Sequence, residues 1–185
     1  MENKSNSVFK AALNYGLMLG LALVIYAVLL FIFDLHLNKY LGYISYIIVI
    51  AFLIWGTKSY RDNNLNGAIS YGKALGLSTL IVLIAAFIYG IYSYLLITVI
   101  DPGYIDKLIA ISEEQLLKQG IPDEQIEIGL SMQKKMMSPM IISILAFVGM
   151  FFWGFVLSLI ISAFMKKEGD PYQSAMQDIE DTPNE

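Results

Sequence analysis

LMLGLALVIYAVLLFIF, residues 17–33, is an apolar run with no Asp, Glu, Lys, Arg or His. A helix of a water-soluble domain keeps one polar stripe. This run is apolar around its whole circumference, and extended back to Ala11 it reaches the roughly 20 residues needed to cross a hydrocarbon layer about 30 Å thick. Three more such runs follow, Tyr40–Trp55, Leu75–Ile100 and Met140–Met165, and none of the four holds an ionisable acid or base. The chain of 185 residues is 57% hydrophobic and 15% charged, whereas soluble domains run at roughly 45–50% and 25%. The reading is therefore an all-α membrane protein with four transmembrane helices, at about 11–33, 40–56, 73–100 and 139–165, arranged as two hairpins. The first run is long for a secretory signal and lacks a small-x-small cleavage site after it, so it is expected to stay as an anchor.

The connections are unequal. Six residues, Asp34 to Lys39, join the first two runs and force a tight turn. Thr57 to Lys73 is a polar segment whose Asn and Gly residues signal a turn. The long segment 101–138 is expected to form an extramembrane helical hairpin between the third and fourth spans. Asp101-Pro102 reads as a cap with proline in the first turn. Ile105, Leu108, Ile109 and Leu116 recur at helical spacing, Glu114 and Lys118 form an i,i+4 pair, and Gly120 with Pro122 stops the helix. A second helix follows from Pro122 to Met137, and Ser138-Pro139 caps the last span. The membrane domain thus covers 1–170, and residues 171–185 form an acidic tail expected to be disordered.

Lys4, Lys10, Lys58, Arg61, Lys73, Lys166 and Lys167 fall on one side of these spans, and Lys39, Lys107, Lys118, Lys134 and Lys135 on the other. The positive-inside bias puts both termini in the cytoplasm. Lys58, Arg61 and Lys73 are candidates for lipid headgroup contact or for fixing topology. Net charge is −4 with no basic surface stretch, which argues against nucleic acid as a partner. The lipid bilayer is the partner implied, and a protein partner or a homo-oligomer stays open.

The first and third spans open alike, Tyr15-Gly16-Leu17-Met18-Leu19-Gly20-Leu21 against Tyr71-Gly72-Lys73-Ala74-Leu75-Gly76-Leu77. Each copy carries a G-x-x-x-G, so Gly16, Gly20, Gly72 and Gly76 are candidate helix-packing positions. Chemistry is poorly provided for. Without an ionisable group in the spans, coupled transport lacks its usual relay. His36 is the single histidine, and with Asp34 alone it makes neither a closed metal site nor a nucleophile–base pair. It is read as part of a solvated turn. The carboxylates Asp106, Glu113, Glu114, Asp123, Glu124 and Glu127 lack the spacing of an EF-hand loop. No catalytic residue, metal ligand or cofactor site is expected. The protein is read as a non-enzymatic scaffold or accessory subunit using its outer hairpin, with a small oligomeric transporter or lipid-binding protein as the alternative.

A further likeness lies in the ordered motifs. Lys58-Ser59-Tyr60-Arg61-Asp62, Gly67-Ala68-Ile69-Ser70-Tyr71-Gly72-Lys73-Ala74-Leu75, Asp101-Pro102 and Met137-Ser138-Pro139 together resemble the domain of unknown function 4199 family. The resemblance runs from the first span to Lys167 and implies a small bacterial membrane protein. It implies no catalytic or ligand residues.

Overall fold

The computed structural model describes residues 4–36 and 38–167. These residues form six helices: α1 Lys4–Ile32, α2 Lys39–Asn64, α3 Tyr71–Leu95, α4 Tyr104–Lys118, α5 Asp123–Met136 and α6 Pro139–Met165. No strand occurs among them beyond one isolated bridge. The fold class is all-α with four helices long and apolar enough to cross a membrane, α1, α2, α3 and α6. Between 17% and 39% of each span is buried within the chain, so most of their apolar surface faces outward and needs lipid to cover it. This is a multi-pass membrane protein. The expected tail at 171–185 lies outside the described residues, as do Lys4 and Lys39 where their side chains are concerned.

The chain divides into two compact units. The first comprises Met1–Ala85 and Phe151–Glu185. Within it the Tyr15 hydroxyl donates to Ser59 Oγ at 2.6 Å, and the Tyr26 hydroxyl donates to the Leu41 carbonyl at 2.8 Å. α1 and α2 therefore run antiparallel. Their tight connection is made by Asp34 in the left-handed region (φ 54°), which lets Leu35 N–H return to the Leu30 carbonyl at 2.7 Å. The turn folds His36 back against Phe31, ring centroids 5.3 Å apart, and leaves its side chain only 7% exposed. That corrects the reading of His36 as a solvated turn residue: its imidazole is sheltered against the Phe31 ring.

α2 is longer than the expected 40–56. It continues to Asn64, because Lys58-Ser59-Tyr60-Arg61 holds no helix breaker and Tyr60 is buried. The turn comes only at Asn66 and Gly67, both at positive φ (52° and 83°). Beyond it, Ile69 and Lys167 exchange backbone hydrogen bonds at 2.9 and 3.0 Å. This bridge pins the α2–α3 connection to the chain leaving α6, a long-range contact with no local sequence signal.

The second unit, Ala86–Met150, holds the end of α3, α4, α5 and the start of α6. α3 gives way to a π-helical turn at Leu96–Ile100, where Asp101 N–H reaches back to the Leu96 carbonyl at 2.7 Å and Thr98 Oγ1 bonds to the Tyr94 carbonyl. Pro102 disfavours a helical Asp101 and ends it there (φ −137°, ψ 80°). The expected capping role of Asp101 is not the one observed. α4 starts at Tyr104 with Gly103 as its cap residue, and the Asp101 carboxylate instead pairs with Lys107 Nζ at 2.8 Å. At its other end α4 closes on Gly120 (φ 73°), with Gly120 N–H to the Leu117 carbonyl and Ile121 N–H to Leu116, the paired bonds of a Schellman stop. Ser138 Oγ accepts from Ile141 N–H and caps α6.

Candidate interaction surfaces

The six helices bring together two glycine contacts that fix helix spacing in the first unit. A Cβ added at Gly16 would sit 2.8 Å from Ile84 Cβ and 3.0 Å from the Ile81 carbonyl oxygen. One added at Gly154 would collide with the Val82 side chain, whose Cβ lies 3.3 Å away. Both helix pairs are thus as close as a bare backbone allows. Gly20 is buried. Gly72 and Gly76, the corresponding pair on α3, are different: a Cβ at either meets nothing within 4 Å. Within one chain the repeat therefore does not act as two equivalent packing motifs. Gly154 lies inside the aromatic run Phe151-Phe152-Trp153-Gly154-Phe155, where a small residue offers a neighbour room to approach.

Several hydroxyls are buried in the apolar interior of this unit. Thr57 and Ser78, both fully buried, share a hydrogen bond of 3.0 Å between α2 and α3. Ser158 donates to the carbonyl of Gly154 one turn back at 2.9 Å. Ser162 is also fully buried. Of the basic candidates, Lys58 and Lys73 are exposed, while Arg61 Nε is engaged by Asp62 Oδ1 at 2.8 Å and its side chain is 16% exposed. Arg61 is therefore satisfied locally, next to the turn whose residues Leu65 and Gly67 both donate to its carbonyl.

The second unit carries two concavities. One, of about 480 Å³, is an open groove between α4 and α5 with Ile109, Leu117, Ile126 and Leu130 along its floor and Glu113 and Glu127 on its rims. The two helices are tied beside it by Gln133 Nε2 to Ser112 Oγ at 3.2 Å and by Lys134 to Asp106 at 3.4 Å. Ile126 is the one residue of the pair that is buried, so the groove floor is only half covered. Glu114, one position along from the rim, is held below the ordinary carboxylate range by its hydrogen bond from Lys118 at 2.6 Å. At the root of α4, burial and then the Asp101 carboxylate push the Tyr104 hydroxyl above the usual tyrosine value.

The other concavity, about 440 Å³, opens between α3 and α6 where Gly90 lies against Phe147; its walls are almost wholly apolar. Groups of three or more His, Asp or Glu able to hold a metal do not occur among the described residues.

The model of one protein family, described as proteins of unknown function (DUF4199), matches residues 14–167. The chain belongs to this family. The match begins within α1, takes in the other three spans, the α4–α5 groove and the Ile69–Lys167 bridge, and ends on the bridging lysine itself. No curated protein and no solved structure matches the chain.

Proposed function

We propose that this family member is a non-enzymatic scaffold or accessory subunit of a bacterial inner membrane, both termini cytoplasmic, that takes a protein partner in the α4–α5 groove. The observation carrying the proposal is the groove itself. It is an open groove of about 480 Å³. Its floor is aliphatic, and Glu113, Asp123 and Glu127 stand around it as exposed carboxylates beside one lysine, Lys134, which is paired with Asp106. An apolar floor with acidic rims suits a segment that presents apolar side chains between basic ones. The absence of ionisable residues from the apolar runs supports a binding role over proton-coupled transport. The sequence contains no cysteine, so a photo-crosslinker can be attached singly at Glu113→Cys or Glu127→Cys in living cells. The proposal expects a discrete protein adduct at both positions, lost when the other rim carboxylate is changed to lysine. Adducts to lipid alone, or none, would refute it.

A second reading, a lipid-binding protein or small transporter acting as an oligomer, is favoured by the apolar cleft at Gly90 and Phe147. Lipid retained by the detergent-purified chain in native mass spectrometry, and lost in Gly90→Leu, would support it.

A further inference from the structure

α5 has two apolar faces, and only one belongs to the groove. Ile126 and Leu130 point to α4. Ile128, Met132 and Met136 recur every fourth residue and are 56%, 61% and 69% exposed. At about 100° per residue this second stripe centres on the side of α5 opposite the groove. Three large apolar side chains in line on a short helix of 14 residues are not scattered surface hydrophobes; they form a strip with something to cover it.

The chain itself indicates what covers the strip. α5 ends at Met136 and the membrane-spanning α6 begins at Pro139. Only Met137 and Ser138 intervene, so the end of α5 lies within about 7–10 Å of the point where the chain enters α6. α6 is one of the helices long and apolar enough to cross a membrane, so the strip ends two residues short of a span. The last turn of α5 places Lys135 beside the strip, a cation able to meet phosphate headgroups, while Lys134 faces the groove and pairs with Asp106. Of the charged groups bordering the strip, Lys135 is nearest the membrane entry and Glu124 is at the far end of the helix.

We infer that α5 is an interfacial helix, lying on the bilayer surface with Ile128, Met132 and Met136 sunk into the headgroup–acyl boundary. Helices of this type bury their apolar face by about 5–10 Å. Seated this way, α5 turns its opposite face, and with it the groove, toward the aqueous side. The membrane then acts as a third wall that orients the α4–α5 pair. The inference goes beyond the partner reading above and does not depend on it, since a pair seated on lipid with an empty groove would satisfy it.

The test uses the full chain in vesicles of phosphatidylcholine and phosphatidylglycerol, with a single bimane label at Met132→Cys, Met136→Cys or, on the groove side, Glu127→Cys. The inference expects a lipid doxyl-labelled near the headgroup to quench the first two labels severalfold more than the third. Aqueous iodide should give the reverse order. Equal quenching at Met132 and Glu127 would overturn the inference, as would a Met132 label hidden from both quenchers, which would mean protein covers the strip. All these positions are exposed, so labelling leaves packing intact. As a second measurement, Met132→Glu with Met136→Glu should abolish doxyl quenching of a label at Ile128→Cys. Unchanged quenching there would also overturn the inference.

Discussion

Replacing Gly16 by alanine adds one methyl group where the space for it is occupied. The new carbon would lie 2.8 Å from Ile84 Cβ and 3.0 Å from the Ile81 carbonyl oxygen. Neither neighbour can swing aside: one is the first side-chain carbon and the other is backbone. α1 and α3 must therefore separate by about 0.6 Å at this level to restore the ordinary contact of 3.4 Å. Forcing a methylene-sized group into a packed interior costs about 1–3 kcal/mol. The helix propensity gained on going from glycine to alanine returns up to about 1 kcal/mol. With the full return the net expectation is a loss of up to about 2 kcal/mol, centred near about 1. The same change at Gly76, where a Cβ meets nothing within 4 Å, leaves only the propensity gain. Reversible unfolding in mixed micelles, titrated with a denaturing detergent and followed by circular dichroism, measures both. If Gly16→Ala unfolds with wild-type free energy, or Gly76→Ala is the more damaging, the assignment of Gly16 as the packing glycine is wrong.

Three further outcomes follow from the same geometry. A double-mutant cycle on Thr57→Val and Ser78→Ala should give a coupling of about 0.6 kcal/mol, and no more than about 1.7, typical of hydrogen bonds between membrane helices; additivity would mean that the 3.0 Å contact does not stabilise the fold. Gly120→Ala forces a side chain into the left-handed region (φ 73°) and should cost the α4 stop about 1 kcal/mol, read as faster amide exchange at Leu116 to Ile121; unchanged exchange would refute the stop. Because Lys118 lowers the Glu114 pKa in the folded state, this pair contributes stability above the unfolded carboxylate value and loses it as pH falls through the lowered folded value. Lys118→Met should move the Glu114 carbon-13 titration upward toward the ordinary glutamate range, and an unmoved midpoint would show that the pair does not form.

The four spans were legible because lipid imposes a requirement on every residue of a segment, so sequence composition alone reports it. The end of α4 was legible for a local reason: Gly120 is the residue a left-handed stop demands. What escaped was decided between segments. Gly16 and Gly76 sit in the same motif, yet one is packed and the other open, because the difference lies in what faces them. The Asp101 carboxylate had a good sequence as a cap and was drawn instead to Lys107, six residues on. The π turn at Leu96–Ile100 and the Ile69–Lys167 bridge likewise depend on chain crowding with no local signature. For the candidate groove, the helical periodicity of α4 was readable, but the opening between Glu113 and Glu127 required the pairing of the two helices. The strip Ile128, Met132, Met136 was present in the sequence at regular spacing, and only the burial of Ile126 on the other side showed which face is left uncovered.

The proposed topology puts Glu113 and Glu127 on the outer side of the membrane and Lys58 and Lys73 on the cytoplasmic side. The lack of native cysteine allows single cysteines at Glu113, Glu127, Lys58 and Lys73 to be probed in intact cells with a membrane-impermeant maleimide. The account expects rapid labelling at Glu113→Cys and Glu127→Cys, and labelling at Lys58→Cys and Lys73→Cys only after the membrane is permeabilised. Labelling of all four in intact cells, or of the two lysine positions alone, would contradict it.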